Sequence, residues 1–260
     1  MESDRPRLIL LEGLPGSGKS TIARRIYDHF RHTGGGVSLY SEGSDNPLDL
    51  TWHACLTNDA FGELMCRFED KRGSLHLTAI FEDGYVLIPY GRARYGSDDT
   101  DINQFLKAHE VCYGDRPVVP LETLSEMFRR RWHRYARSLS ARDKTDIFDA
   151  VLFQHQINDL LRLYNATRDV ILGHLSSLAK ELSALDPVLI YLTQSSVGEA
   201  LLRIWNERGK AGSDSEICSY QQRKQIEFDA MGRLPLRTYV VDNSDYDSDR
   251  VYDTVLSIIA

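Results

Sequence analysis

Residues 13–20 read Gly13-Leu-Pro-Gly-Ser-Gly18-Lys19-Ser20, the complete G-x-x-x-x-G-K-S spacing of a phosphate loop. The chemistry such a loop serves is charge neutralisation. Glycines let the backbone wrap tightly around phosphate oxygens, so that its N–H groups and the following helix N-terminus point at the negative charge. Lys19 then reaches the β- and γ-phosphates of a nucleoside triphosphate, and the Ser20 hydroxyl holds Mg²⁺. The stretch expected to touch nucleotide is Gly13, Pro15, Gly16, Ser17, Gly18, Lys19, Ser20 and Thr21.

A loop of this kind must sit between a strand and a helix, and its flanks supply both. Leu8-Ile9-Leu10-Leu11 is an apolar run suited to a buried parallel strand. Ile22, Ile26 and Phe30 recur every four residues along a helix that Gly34-Gly35-Gly36 ends. Further strands are expected at Val37–Ser41, around Ile147–Leu152, at Val188–Leu192 and at Thr238–Val241. A helix carrying Ile171, Leu175, Leu178, Leu182 and Leu185 separates two of them, and a closing helix covers Val251–Ile259. This β-α alternation predicts an α/β fold, a five-stranded parallel sheet flanked by helices.

The stretch 50–142 breaks the rhythm and reads as a substrate-covering insertion within a single 1–260 domain. It opens with a helix around Asp59–Glu69. A β-hairpin follows, Leu75–Phe81 and Tyr85–Tyr90 about Asp83-Gly84, and then a long helix over Leu121–Leu139.

The 260 residues carry a net charge of −7, which argues against general affinity for nucleic acid or an anionic membrane. The four cysteines form no C-x-x-C pair, and no stretch approaches a membrane span. With no signal peptide in the pattern, a reduced cytoplasmic protein is expected. None of the eight histidines has metal-site spacing with a cysteine, so no structural zinc is expected. A homodimer is left open.

Leu11-Glu12-Gly13-Leu14-Pro15-Gly16-Ser17-Gly18-Lys19-Ser20 resembles the E-G-x-x-G-S-G-K-S/T loop of thymidylate kinases and deoxynucleoside kinases. The resemblance covers the core strands and an Arg-bearing lid, while the insertion matches neither family. Those families place an acidic residue just past the second strand, where this chain has Ser41-Glu42-Gly43. They carry an Asp-Arg or Glu-Arg pair at the end of the third strand. Here Ile147-Phe148-Asp149-Ala150 supplies the acid but puts Ala in place of the Arg, which argues for an acceptor other than thymidine or its monophosphate. The resemblance implies a P-loop fold of nucleotide-kinase type, with ATP and Mg²⁺ as cosubstrate and metal.

Phosphoryl transfer needs a carboxylate near the acceptor hydroxyl. Glu42 is the leading candidate, at the carboxyl end of a strand; Asp45 and Asp49 share its loop, and a plain surface carboxylate is the alternative. Asp149 is expected to hold Mg²⁺ through water or to support Ser20, or else to pair with a nearby Arg. Asp146 would exchange roles with it if the register slipped. Gln154 and His155 are acceptor contacts or an ordinary helix start.

Residues 203–224 read as a lid, with a solvated charged helix as the alternative. Arg208 is the catalytic candidate and Arg203 a nucleotide contact, although either could swing over the transferring phosphoryl. Their five-residue spacing requires a bend for both to act, and Arg223 and Lys224 are weaker candidates. Phe128, Trp132, Tyr135 and Leu139 share a helical face suited to core packing, with Trp132 also a candidate acceptor contact. Arg130, Arg134 and Arg137 share another face, a substrate-anion site or a solvated surface, and Arg92 and Arg94 have similar standing.

The expected function is ATP-dependent phosphorylation of a hydroxyl on a small molecule, nucleoside- or nucleotide-like or a natural product such as an antibiotic. The competing classes are an NTP-hydrolysing switch for a protein partner and a nucleotide-binding protein without activity.

Overall fold

The computed structural model describes residues 5–44, 46–82, 84–91, 94–96 and 100–259. The chain begins β1 (Leu8–Glu12), α1 (Lys19–His32), β2 (Val37–Tyr40), β3 (His53–Thr57), α2 (Asn58–Arg67), α3 (Arg72–Thr78), β4 (Ile80–Glu82) and β5 (Tyr85–Pro89). It continues α4 (Asp101–Lys107), α5 (Leu121–Ser140), β6 (Thr145–Asp149), α6 (Gln154–Tyr164) and α7 (Arg168–Leu182). The last elements are β7 (Val188–Thr193), α8 (Val197–Glu207), α9 (Asp214–Met231), β8 (Arg237–Asp242) and α10 (Ser248–Ile259). The residues divide into two compact units, one of 1–49, 128–161 and 166–260, the other of 50–127 and 162–165.

The first unit holds a five-stranded parallel sheet in the order β2-β6-β1-β7-β8. Every residue of β1 is buried, as a central parallel strand covered on both faces requires. Alternation divides its side chains. Ile9 and Leu11 join Ile147, Ile190 and Leu192 in a core against Ile22, Ile26 and Phe30 of α1 and Val251, Val255 and Ile259 of α10. Leu8, Leu10 and Glu12 face the other way. The chain leaves β1 for β2 at one edge and later crosses from β6 to β7 on the far side of β1, so the crevice lies at the carboxyl ends around β1.

Strand β6 starts earlier than its apolar run predicted and stops at Asp149. Ala150 turns to φ 63°, and its N–H donates to the Leu11 carbonyl (2.9 Å). The other expected core strands and the closing helix form within a few residues of their predicted bounds.

The second unit holds a three-stranded antiparallel sheet, β3-β5-β4, over a core that includes Leu56, Leu64, Val86, Ile88 and Leu106. The hairpin forms at β4 and β5, but Leu75–Thr78 is helical instead of extended. Helix α3 buries Leu75 and leaves Leu77 89% exposed, which a strand packed on one face would not do. Strand β3 was not anticipated. Residues 128–142, expected in the insertion, belong to the first unit.

Candidate functional site

Three glycines shape the loop between β1 and α1, with φ of 137° at Gly13, 81° at Gly16 and 93° at Gly18. The loop is also held from outside. Gln194 Nε2 donates to the Gly16 carbonyl (3.0 Å), and Asn243 Nδ2 to the Ser17 carbonyl (2.9 Å). Both donors lie just past a strand end, at β7 and β8, so the sheet's carboxyl edge clamps the loop. Lys19 opens α1 and is nearly buried, and its Nζ donates to the Leu14 carbonyl (3.0 Å). Burial pushes its pKa down, against the pull of Asp149.

Register sets the two aspartates of β6 at opposite ends of the strand. Asp149 stands opposite Leu11 at the carboxyl end, and Asp146 opposite Leu8 at the amino end. Asp149 shares the α1 face of the sheet with Ile147, and its carboxylate lies near the Ser20 hydroxyl. Burial raises the Asp149 pKa, and the Ser20 hydroxyl and Lys19 pull it back. Asp149 Oδ1 is buried without a hydrogen-bond partner among the described residues. A hydroxyl beside a carboxylate with a spare oxygen is a donor set that fits Mg²⁺. Asp146 instead accepts from Tyr135 Oη (2.8 Å) and pairs with Lys144 (2.7 Å), a structural role.

A cavity of about 430 Å³ opens over the loop. Its floor includes Pro15, Gly16, Gly18, Lys19, Ser20 and Thr21. Glu42 and Gln154 form one wall, with Gln154 Nε2 donating to Glu42 Oε1 (2.6 Å). Arg203, Arg208, Tyr220 and Tyr246 line the rest. Arg203 lies 3.9 Å from the centre of the Tyr246 ring and donates through Nε to Glu207 (3.1 Å). Both Arg203 and Arg208 reach the cavity because α8 ends at Glu207 and Arg208 falls on the turn that leads to Gly209 (φ 62°).

Other candidates fall elsewhere. Trp132 is wholly buried, and its indole N–H donates to the Leu48 carbonyl (2.8 Å), so it is a core residue and not an acceptor contact. His155 is buried one residue beyond Gln154 and does not line the cavity, nor does Asp49. Gly13 and Ser17 support the loop from below, with Ser17 N–H donating to the Leu14 carbonyl (3.2 Å). Asp45 and Arg92 lie outside the described residues. In the basic helix, Arg129 and His133 both pair with Glu181 (2.8 and 2.9 Å), and Arg131 donates to the Pro47 carbonyl (2.8 Å).

Sequence reasoning missed Gln194, Tyr220, Tyr246 and the buried charges Glu12 and Glu227. It underrated Arg223, which is buried on α9 and pairs with Glu227 (2.8 Å). Lys224 donates to the Gln194 carbonyl (2.7 Å), one more tie to the edge that clamps the loop.

No protein-family model matches the chain, and no curated protein matches it in sequence. Among solved structures, the YorR protein of Bacillus subtilis in complex with phosphorylated GDP is 12% identical, covering 97% of this chain and 95% of that one at a TM-score of 0.48. Deoxyadenosine kinase from M. mycoides with bound dCTP is 14% identical, covering 96% and 97% at a TM-score of 0.43. Thymidylate kinase from Candida albicans is 15% identical, covering 98% and 91% at a TM-score of 0.45. All three scores lie below 0.5, so the functional reading rests on the residues of the site.

Proposed function

We propose that the chain is an ATP-dependent phosphotransferase that moves the γ-phosphoryl group to a hydroxyl of a small molecule. One observation carries the reading: Lys19, Ser20 and the Glu42–Gln154 pair line a single cavity that Arg203 and Arg208 also line, with the Asp149 carboxylate near Ser20. Lys19 leaves the Leu14 carbonyl for the β- and γ-phosphates. Arg208 meets charge that develops on the transferring group, a contribution worth roughly 10³-fold or more where an arginine serves this way. Bound Mg²⁺, held by Ser20 and Asp149, would neutralise phosphate charge and orient the oxygens.

Glu42, fixed by Gln154, takes or orients the acceptor's proton. The Arg203–Tyr246 stack offers a flat cationic surface for the nucleoside base. The acceptor is nucleoside- or nucleotide-like, or a hydroxylated natural product. Lys19→Ala tests the nucleotide half: the variant should fold, bind MgATP far more weakly and turn over nothing. Near-normal turnover by it would overturn the reading.

A further inference from the structure

Helix α9 turns charge inward. Arg223 and Glu227, one turn apart, are buried there beside Ile226 and Ala230. Arg223 Nε donates to Glu227 Oε1 (2.8 Å), and Tyr191 Oη donates to Glu227 Oε2 (2.5 Å). Tyr191 stands opposite Glu12 in the pairing of β7 with β1, and Glu12 is the residue from which the phosphate loop departs. One Glu12 oxygen accepts the Leu152 N–H (2.5 Å). The other, Oε2, is buried without a hydrogen-bond partner among the described residues, and so is Arg223 Nη2. The two groups already feel each other: burial pushes the Glu12 pKa up to about 8, and the Arg223 guanidinium pulls against that rise. Arg223 also opposes the charge on Lys19.

An ion pair buried in this way is often matched or bettered in stability by apolar residues of similar volume. Packing alone therefore gives little reason for charge at these positions. We propose that Arg223 is a positioning residue for the nucleotide site, tying α9 to Glu12 and so holding the root of the phosphate loop in its binding shape. Glu227 and Tyr191 fix the guanidinium through Nε. Its unused Nη2 is a donor and the unused Glu12 oxygen an acceptor, and the proposed tie joins these two buried atoms. Joined, they set the place from which the loop N–H groups and Lys19 meet phosphate. This rests on the nucleotide reading of the loop.

The test is MgATP affinity by calorimetry together with thermal unfolding. In R223M/E227L both charges leave together, so no buried charge of the pair is stranded. The double variant leaves the buried Tyr191 hydroxyl without its acceptor, so it should melt only modestly below the parent yet bind MgATP about 10-fold more weakly. Unchanged affinity would overturn the proposal. Should that variant not fold, Arg223→Lys decides the matter, because it keeps a charge for Glu227 and loses the second nitrogen. It should weaken MgATP binding several-fold, and an unchanged Kd would overturn the proposal in that case too. A parent that binds no MgATP would instead remove the nucleotide reading itself, an outcome these variants do not imitate.

Discussion

Gly13 and Leu192 approach so closely that a Cβ on the glycine would lie 2.2 Å from the leucine's carbonyl oxygen. The first turn of the phosphate loop thus runs hard against the backbone of β7, at a φ of 137° that side-chain-bearing residues avoid. Gly13→Ala must move one backbone or the other, with strain of about 1–3 kcal/mol from the conformation alone. The expected outcome is a lowered melting temperature and an MgATP Kd raised by about 10-fold or more. Unchanged values for both would mean that the loop adjusts freely.

Asp149 should reveal itself through the metal. Its carboxylate lies near the Ser20 hydroxyl and keeps one buried oxygen without a partner among the described residues. Asp149→Asn keeps the shape and removes the charge. The Mg²⁺ concentration for half-maximal activity should rise by about 10–100-fold, while the acceptor KM changes little. An unaltered Mg²⁺ titration would make Asp149 structural.

Glu42 separates transfer from nucleotide binding. Glu42→Gln removes basicity at nearly constant size, so kcat with a true acceptor should fall by roughly 10²–10⁴-fold. The MgATP Kd should barely move. Undiminished kcat would take Glu42 out of the mechanism, and a lost Kd would place it with the metal.

His174 gives a pH dependence of stability that is independent of activity. It is buried on α7, where Nε2–H donates to Gln156 Oε1 (3.0 Å), and burial pushes its pKa down to about 4. The unfolded chain binds a proton there near pH 6.5, so the unfolded state holds more protons between about pH 6.5 and 4. Stability from this group is complete above that window and is lost as pH falls through it, by on the order of 3 kcal/mol. Urea unfolding at pH 7.5 and 4.5 should show a smaller acid loss for His174→Gln than for the parent. Equal losses would contradict the assignment.

Much of the first unit was legible because its signals are local. The loop spacing fixed the strand–helix junction, and four-residue recurrence in α1 marked the buried face. Asp149 and Asp146 were not separable, since three residues apart on a strand they differ only by register, which pairing with β1 settles. Leu75–Thr78 looked β-rich, yet a single buried leucine suits a helical turn as well as a strand. Strand β3 carries a single β-branched residue, Thr57, and no apolar alternation that would mark it as a strand. The boundary between the units inside α5 leaves no mark, because apolar periodicity runs unbroken through Met127 and Phe128. The Arg223–Glu227 pair reads as an ordinary solvated i,i+4 contact until the fold buries it.

The most direct measurement is the fate of a γ-³²P label. The protein is incubated with γ-labelled ATP and Mg²⁺ in the presence of nucleosides, nucleotides and hydroxylated natural products, beside the Lys19→Ala and Glu42→Gln variants. The account expects label in one class of small molecule with the parent protein, none with Lys19→Ala, and little inorganic phosphate when no acceptor is present. Release of inorganic phosphate at one rate with and without every acceptor, undiminished in Glu42→Gln, would contradict it and mark a hydrolytic switch.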